Sequence, residues 1–106
     1  SANEPGSKLD AGKVRVGLVL DGFARALWEV SRVGTFGATK YTDNGWMEVP
    51  NGIARYHDAA GRHDLKIAMG EEYDADSGVL HLAHKAWNVL AELDLILREK
   101  ENDVSN

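Results

Sequence analysis

The stretch VLHLAHKAWNVLAELDLIL, Val79–Leu97, decides the fold class. Val79, Leu80, Leu82, Ala83, Ala86, Trp87, Val89, Leu90, Leu93, Ile96 and Leu97 recur at three- and four-residue spacing and cover well over half of a helix circumference. A surface helix needs an apolar stripe of only about 100°. A helix this apolar is buried on two sides, and one small chain can hardly cover both. Asp76 or Ser77 is placed to cap it, and it runs to about Lys100.

Two further helices precede it. Asn51, following Pro50, is a good N-cap for a helix from roughly Gly52 to Met69, closed by Gly70. Its inner face collects Ile53, Tyr56, Ala60, His63 and Ile67, while Arg55, Arg62 and Lys66 lie largely opposite. Asp21 is a plausible cap for an earlier helix from about Gly22 to Ala38, in which Phe23, Leu27, Val30 and Gly34 keep the helical period. Gly34 and Gly37 weaken its end, or mark the close approach of a neighbouring helix or ligand. Between these two helices Lys40–Asn51 is a loop with a strong turn signal at Asp43-Asn44-Gly45. Lys8–Val16 is polar and irregular with a β-like tail at Val14–Val16. The expectation is an all-α bundle of three main helices, completed by oligomerisation, in one domain over 9–100. Residues 1–8 read as a disordered leader that resembles an expression remnant at its start, and 101–106 as a frayed polar tail.

Composition narrows the function. With 12 Lys and Arg against 17 Asp and Glu, the net charge of -5 argues against duplex nucleic acid as a partner, which needs many cationic contacts to phosphates. One small basic cluster could still hold a nucleotide. There is no cysteine, hence no disulfide framework or thiolate metal site. No apolar run is long enough to span a membrane and no signal-like segment opens the chain, so a cytoplasmic protein is expected.

The polar residues that could carry chemistry gather around Gly70–Asn88. His81, His84 and Asn88 project from one face of the third helix, the narrow polar stripe of an apolar element. They either bind a metal or phosphate, with Asn88 orienting substrate, or simply line the side that sees water. The preceding loop adds Glu71, Glu72, Asp74 and Asp76, and carboxylates with imidazoles suit a divalent cation. The same acidic residues also complement a helix N-terminus. His63 on the inner face of the second helix gains weight only if it meets His81 or His84. Arg55, Arg62 and Lys66 are either a solvated face, supported by an Asp58–Arg62 pair, or a polyphosphate clamp. Glu29 can reach a cation at the bundle centre or pair with Arg25 or Arg32. Lys40, Tyr41, Asn44 and Trp46 mix cationic, aromatic and amide groups in one loop, which suits a nucleobase or phosphate and equally suits anchoring to a core.

Three segments taken together, FGATKYTDNGW (Phe36–Trp46), RYHDAAGRH (Arg55–His63) and GEEYDADSGVLHLAHKAWN (Gly70–Asn88), resemble a phage and prophage family of dATP/dGTP diphosphohydrolase-like proteins. That family is related to the all-α MazG-type nucleotide pyrophosphohydrolases, and the likeness covers most of Leu9–Leu97. The resemblance implies hydrolysis of a (deoxy)nucleoside triphosphate to the monophosphate and pyrophosphate, a helical homo-oligomer, and Mg²⁺ or Mn²⁺. MazG-type enzymes place ligands in E-x-x-E and E-x-x-D; here Glu29 has Arg32 where the second carboxylate would fall, while Glu71 and Asp74 keep the E-x-x-D spacing in a loop. The expected site then has Glu29, Asp74, His81 and His84 at the metal, with His63 and His84 as catalytic groups. Lys40, Arg55 and Arg62 would take the phosphates and Tyr41 and Trp46 the base, with Asn44 and Asn88 also binding substrate. The competing expectation is a non-catalytic phage-type helical oligomer that binds or sequesters a nucleotide or a host protein.

Overall fold

Four helices make up the fold seen in a computed structural model, which describes the backbone of residues 4–105 and side chains through Asp103. Residues 1–3 of the leader and Asn106 of the tail lie outside the described residues. The helices are α1 (Gly17–Leu20), α2 (Ala24–Lys40), α3 (Gly52–Ala68) and α4 (His81–Ser105), with a 3₁₀ turn at Gly45–Glu48 before α3. No strand occurs among the described residues, and the all-α expectation holds.

α3 and α4 form an antiparallel pair, and their contacts give the register. Gly52 packs on Leu95, His57 meets Glu92, Lys85 reaches Asp64 at 3.0 Å, and His63 meets His81. Small residues line the seam: Gly52 and Ala60 on α3, Ala83 and Ala91 on α4, all buried. They let the backbones approach closely, and a Cβ at Gly52 would stand only 3.0 Å from Leu95 Cδ1. At one end of the seam Trp46, Tyr56 and Trp87 pack edge to face, with centroids 5.6–6.4 Å apart. The Tyr56 hydroxyl donates to the Trp46 carbonyl at 2.8 Å.

α2 packs mainly on α4 and on the loop before it. Val33 joins Val79 and Ala83 in a small buried cluster flanked by Leu80 and Trp87. Gly34 is where the helices touch most closely, since a Cβ there would lie 3.3 Å from Trp87 Nε1, whereas Gly37 faces open space. Outside these seams much apolar surface is uncovered, with Trp28 72% exposed and Leu90, Leu93 and Leu97 about half exposed. The radius of gyration is 18.0 Å, against about 13 Å for a compact chain of this length.

Several expectations are corrected. Val14–Val16 forms no strand and leads into α1. Asp21 closes α1 instead of capping α2, whose N-cap position falls to Phe23 without a side-chain cap. Asn51 stands at the start of α3, but in a left-handed conformation (φ 55°) and with no side-chain cap bond. α4 begins at His81, so neither Asp76 nor Ser77 caps it, and it continues through the tail to Ser105. The reason for the late start is a compact loop. Asp74 N–H donates to the Val79 carbonyl, Gly78 N–H to Asp74 and His81 N–H to Glu72, while Tyr73 and Leu80 form an isolated antiparallel bridge. Gly70 (φ +94°) and Gly78 (φ +73°) supply the left-handed turns this path requires.

Candidate metal and phosphate site

The loop between α3 and α4 brings three imidazoles and a carboxylate together. His63 enters from the last turns of α3, and His81 and His84 from the first turn of α4. His63 Nδ1 and His81 Nδ1 are 2.8 Å apart. The His63 ring stacks on His84 with centroids 4.7 Å apart and planes 14° from parallel, and tilts against His81 at 5.1 Å. Ligand atoms of His63, Asp74 and His81 all lie within 4.8 Å of one another. His81 is 2% exposed and His84 8%.

Each group is held by a further partner. His81 Nε2 is 2.8 Å from Glu71 Oε2, and the Lys66 ammonium stands 3.6 Å from the same oxygen. His84 Nε2 is 2.6 Å from Ser77 Oγ, which also accepts the Val79 N–H at 3.1 Å, and it lies 4.0 Å from Asp74 Oδ1. Asp74 Oδ1 accepts the backbone N–H groups of Asp76 (3.1 Å) and Ser77 (2.8 Å), which fixes the carboxylate against the loop. Glu71 and Ser77 therefore act here, although only Asp74 of the acidic loop was expected at a metal. In sequence Glu71 stood out only through its E-x-x-D spacing with Asp74, and Ser77 only as a candidate helix cap.

Electrostatics follow from crowding. Burial pushes the His63 imidazole down to about 4, and the neighbouring His84 and His81 push the same way. His84 is also lowered, chiefly by burial, with Asp74 opposing and His81 reinforcing. Burial alone would raise the Asp74 carboxyl; hydrogen bonds from Ser77 and Asp76 and the proximity of His84 outweigh it and leave it below its usual range. His63 is thus a neutral imidazole at neutral pH, with one ring-nitrogen lone pair suited to a cation.

The other expected residues are placed as follows. Lys40, at the end of α2, spans to the loop and binds Asp76 at 3.0 Å, which raises its ammonium. Arg62 is exposed beside His63, close enough to disfavour its protonation, and forms no ion pair with Asp58. Arg55 is exposed and donates to the Pro50 carbonyl at 3.4 Å. Tyr41 is exposed next to Lys40, and Asn44 adopts a left-handed conformation (φ 58°) before the 3₁₀ turn. Trp46 belongs to the aromatic trio, and Arg98 stacks over it at 5.8 Å. Asn88 is buried and donates to the His84 carbonyl at 2.8 Å. Glu29 stands apart from the imidazole group, bound through both oxygens by Arg32 at 2.8 and 3.1 Å. A further histidine not singled out from sequence, His57, pairs with Glu92 across the α3–α4 seam at 3.1 Å.

Comparison with known proteins identifies the family. The family described as "dATP/dGTP diphosphohydrolase, N-terminal" matches residues 3–105. A protein of Salmonella phage PMBT28 named "dATP/dGTP diphosphohydrolase" is 35% identical over 81 residues, covering 76% of this chain and 26% of that protein. The chain thus spans about a quarter of the length of that curated relative. No solved structure matches it. The segments aligned include the loop and the helices that build the imidazole group, and the chain belongs to the dATP/dGTP diphosphohydrolase N-terminal family.

Proposed function

We propose that the imidazole–carboxylate group serves metal-dependent hydrolysis of a (deoxy)nucleoside triphosphate to the monophosphate and pyrophosphate. The observation that carries this reading is the convergence of His63, Asp74 and His81 on one point beside exposed cationic side chains. The donor set fits a divalent cation. Two nitrogens bound at about 2.0–2.1 Å to one tetrahedral ion lie about 3.3 Å apart, so the 2.8 Å between the Nδ1 atoms needs only a small parting of the rings.

His63, Asp74 and His81 would hold the ion, which when bound supplies charge neutralisation at the phosphates and a more acidic water. The chain's own groups do the rest. Lys40 and Arg62, exposed at the two sides of the loop, take phosphate oxygens as negative charge develops. His84, held by Ser77 and stacked on His63, is placed to hold a proton at Nε2 in exchange for the serine contact. Tyr41 offers an exposed ring beside Lys40 for the base. In this reading Trp46, Arg55, Asn44 and Asn88 support the fold around the site, and Glu29 stays with Arg32. The apolar face at Leu90, Leu93 and Leu97 is covered by a second copy in a homo-oligomer working in the cytoplasm, host cytoplasm if phage-encoded, without a membrane or duplex nucleic acid as partner.

The test is phosphorus NMR of the purified chain with Mg²⁺ or Mn²⁺ and each deoxynucleoside triphosphate. Pyrophosphate and the monophosphate should appear together, and His81→Ala and His84→Ala should abolish them. Release of no pyrophosphate from any of them refutes the reading. Tight nucleotide binding without turnover in calorimetry would assign the chain to the sequestering class instead.

A further inference from the structure

Resting on that reading of the cation site, we propose that His63, Asp74 and His81 select a first-row transition cation over Mg²⁺, with Glu71 as the positioning residue that fixes which nitrogen of His81 faces the ion. Ligand chemistry gives the selectivity. Mg²⁺ favours six oxygen ligands in near-octahedral geometry, keeps several waters and dehydrates reluctantly. Here two of the three donors are imidazole nitrogens, one of them on a side chain only 2% exposed. Imidazole suits Zn²⁺, Fe²⁺, Co²⁺ and Ni²⁺, and affinity along the series rises from Mn²⁺ through Co²⁺.

The hydrogen bonds already present fix the tautomers in the same sense. A carboxylate can only accept, so His81 donates from Nε2–H to Glu71 Oε2 at 2.8 Å. A neutral His81 then carries its lone pair on Nδ1, the atom that points at His63. The 2.8 Å contact between the two Nδ1 atoms is therefore a bond donated by His63 Nδ1–H. A shift of that one proton to Nε2 of His63 leaves two nitrogen lone pairs on the same point, next to a carboxylate locked by two loop amides. Glu71, His81 and the cation thereby form a carboxylate–histidine–metal series, in which the outer carboxylate sets ring orientation and raises ligand basicity. Lys66 holds Glu71 in place from the preceding turn. His84 stays outside the ligand set because Ser77 occupies its Nε2.

Co²⁺ is a suitable probe, because its visible absorption reports low-coordinate binding to nitrogen. The full chain should develop a visible Co²⁺ spectrum at one equivalent, and a hundredfold excess of Mg²⁺ should not displace it, whereas Zn²⁺ should. His81→Ala and Asp74→Asn should lose the spectrum; the second conserves side-chain volume and guards against a misfolded first. Glu71→Gln should weaken Co²⁺ roughly 10- to 100-fold with an unchanged band shape. His57→Ala, which removes a histidine outside the site, should leave the titration as it was. Displacement by that hundredfold excess of Mg²⁺, or a spectrum indifferent to His81→Ala and Asp74→Asn, overturns the selectivity; an unchanged affinity in Glu71→Gln overturns the positioning role. Failure of the hydrolysis reading looks different. Cation bound without pyrophosphate release sinks hydrolysis and leaves the metal site standing, while full turnover on Mg²⁺ with no Co²⁺ bound does the reverse.

Discussion

Acid should destabilise this chain through one identifiable side chain. His63 is part-buried between two other imidazoles, and its folded-state value lies near 4 against 6.5 when free. The unfolded chain therefore binds a proton at His63 that the folded chain refuses, in the window between about pH 6.5 and pH 4. Stability must fall as pH drops through that window and level off below it, as far as this group is concerned. Worked at about pH 4.5, the full difference amounts to about 2.5 kcal/mol. Because the ring is not fully enclosed, solvent screening reduces this to roughly 1–1.5 kcal/mol. Carboxylates also protonate in this range, so the measurement is a difference between two proteins. Urea unfolding in EDTA at about pH 7.5 and 4.5, for the parent and His63→Gln, isolates the term. The parent should lose roughly 1 kcal/mol more than the variant between the two conditions. Equal losses would refute the claim that burial, reinforced by His84 and His81, keeps His63 neutral.

Other consequences can be checked by ordinary stability measurements. Ser77→Ala removes the acceptor for Val79 N–H and the partner of His84 Nε2, and should lower unfolding stability by about 1–2 kcal/mol in urea; an unchanged midpoint would show that water replaces the hydroxyl. Two glycine substitutions should move thermal stability in opposite directions. Gly70→Ala, at φ +94°, should cost about 1 kcal/mol, whereas Gly61→Ala, within α3 with open space at its Cβ, should gain about 0.5–1 kcal/mol from helix propensity. Trp87→Ala takes away the ring that Trp46 and Tyr56 both pack against and that α2 meets at Gly34, with a loss of about 3 kcal/mol and collapse of the near-ultraviolet circular dichroism signal.

Much of this architecture was legible in the residues themselves. Apolar periodicity located the three long helices, and Gly70 marked the end of α3 because a left-handed residue was needed there. The shared face of His81 and His84 followed from helical spacing, and His63 on an inner face proved to meet both. The start of α4 was not legible. Val79 and Leu80 continue its apolar period, and only the bonds from Asp74, Gly78 and His81 back across the loop reveal that Val79 lies in a bend and Leu80 in the bridge to Tyr73. Glu71 shared an E-x-x-D spacing with Asp74, but that pattern does not say that it reaches His81 ten positions on. His57 and Glu92 are separated by 35 residues, so their pairing depends on the α3–α4 register. Glu29 had equally good partners in sequence, and the one three residues away holds it.

The narrow seam between α2 and α4 divides the chain's motions. Hydrogen exchange should resolve two cooperative units, because α2 touches α4 chiefly through Val33 and Gly34, while α3 and α4 are joined along the length of α3. Excursions that peel α2 away break the Lys40–Asp76 link but leave the histidines packed, since every member of that group comes from α3, α4 or the loop joining them. Amides of α2 should thus exchange sooner than those of α3 and the first turns of α4. A ligand bridging Lys40 and the histidines would be read as slowed exchange along the whole of α2, including the first turns that lie far from Lys40.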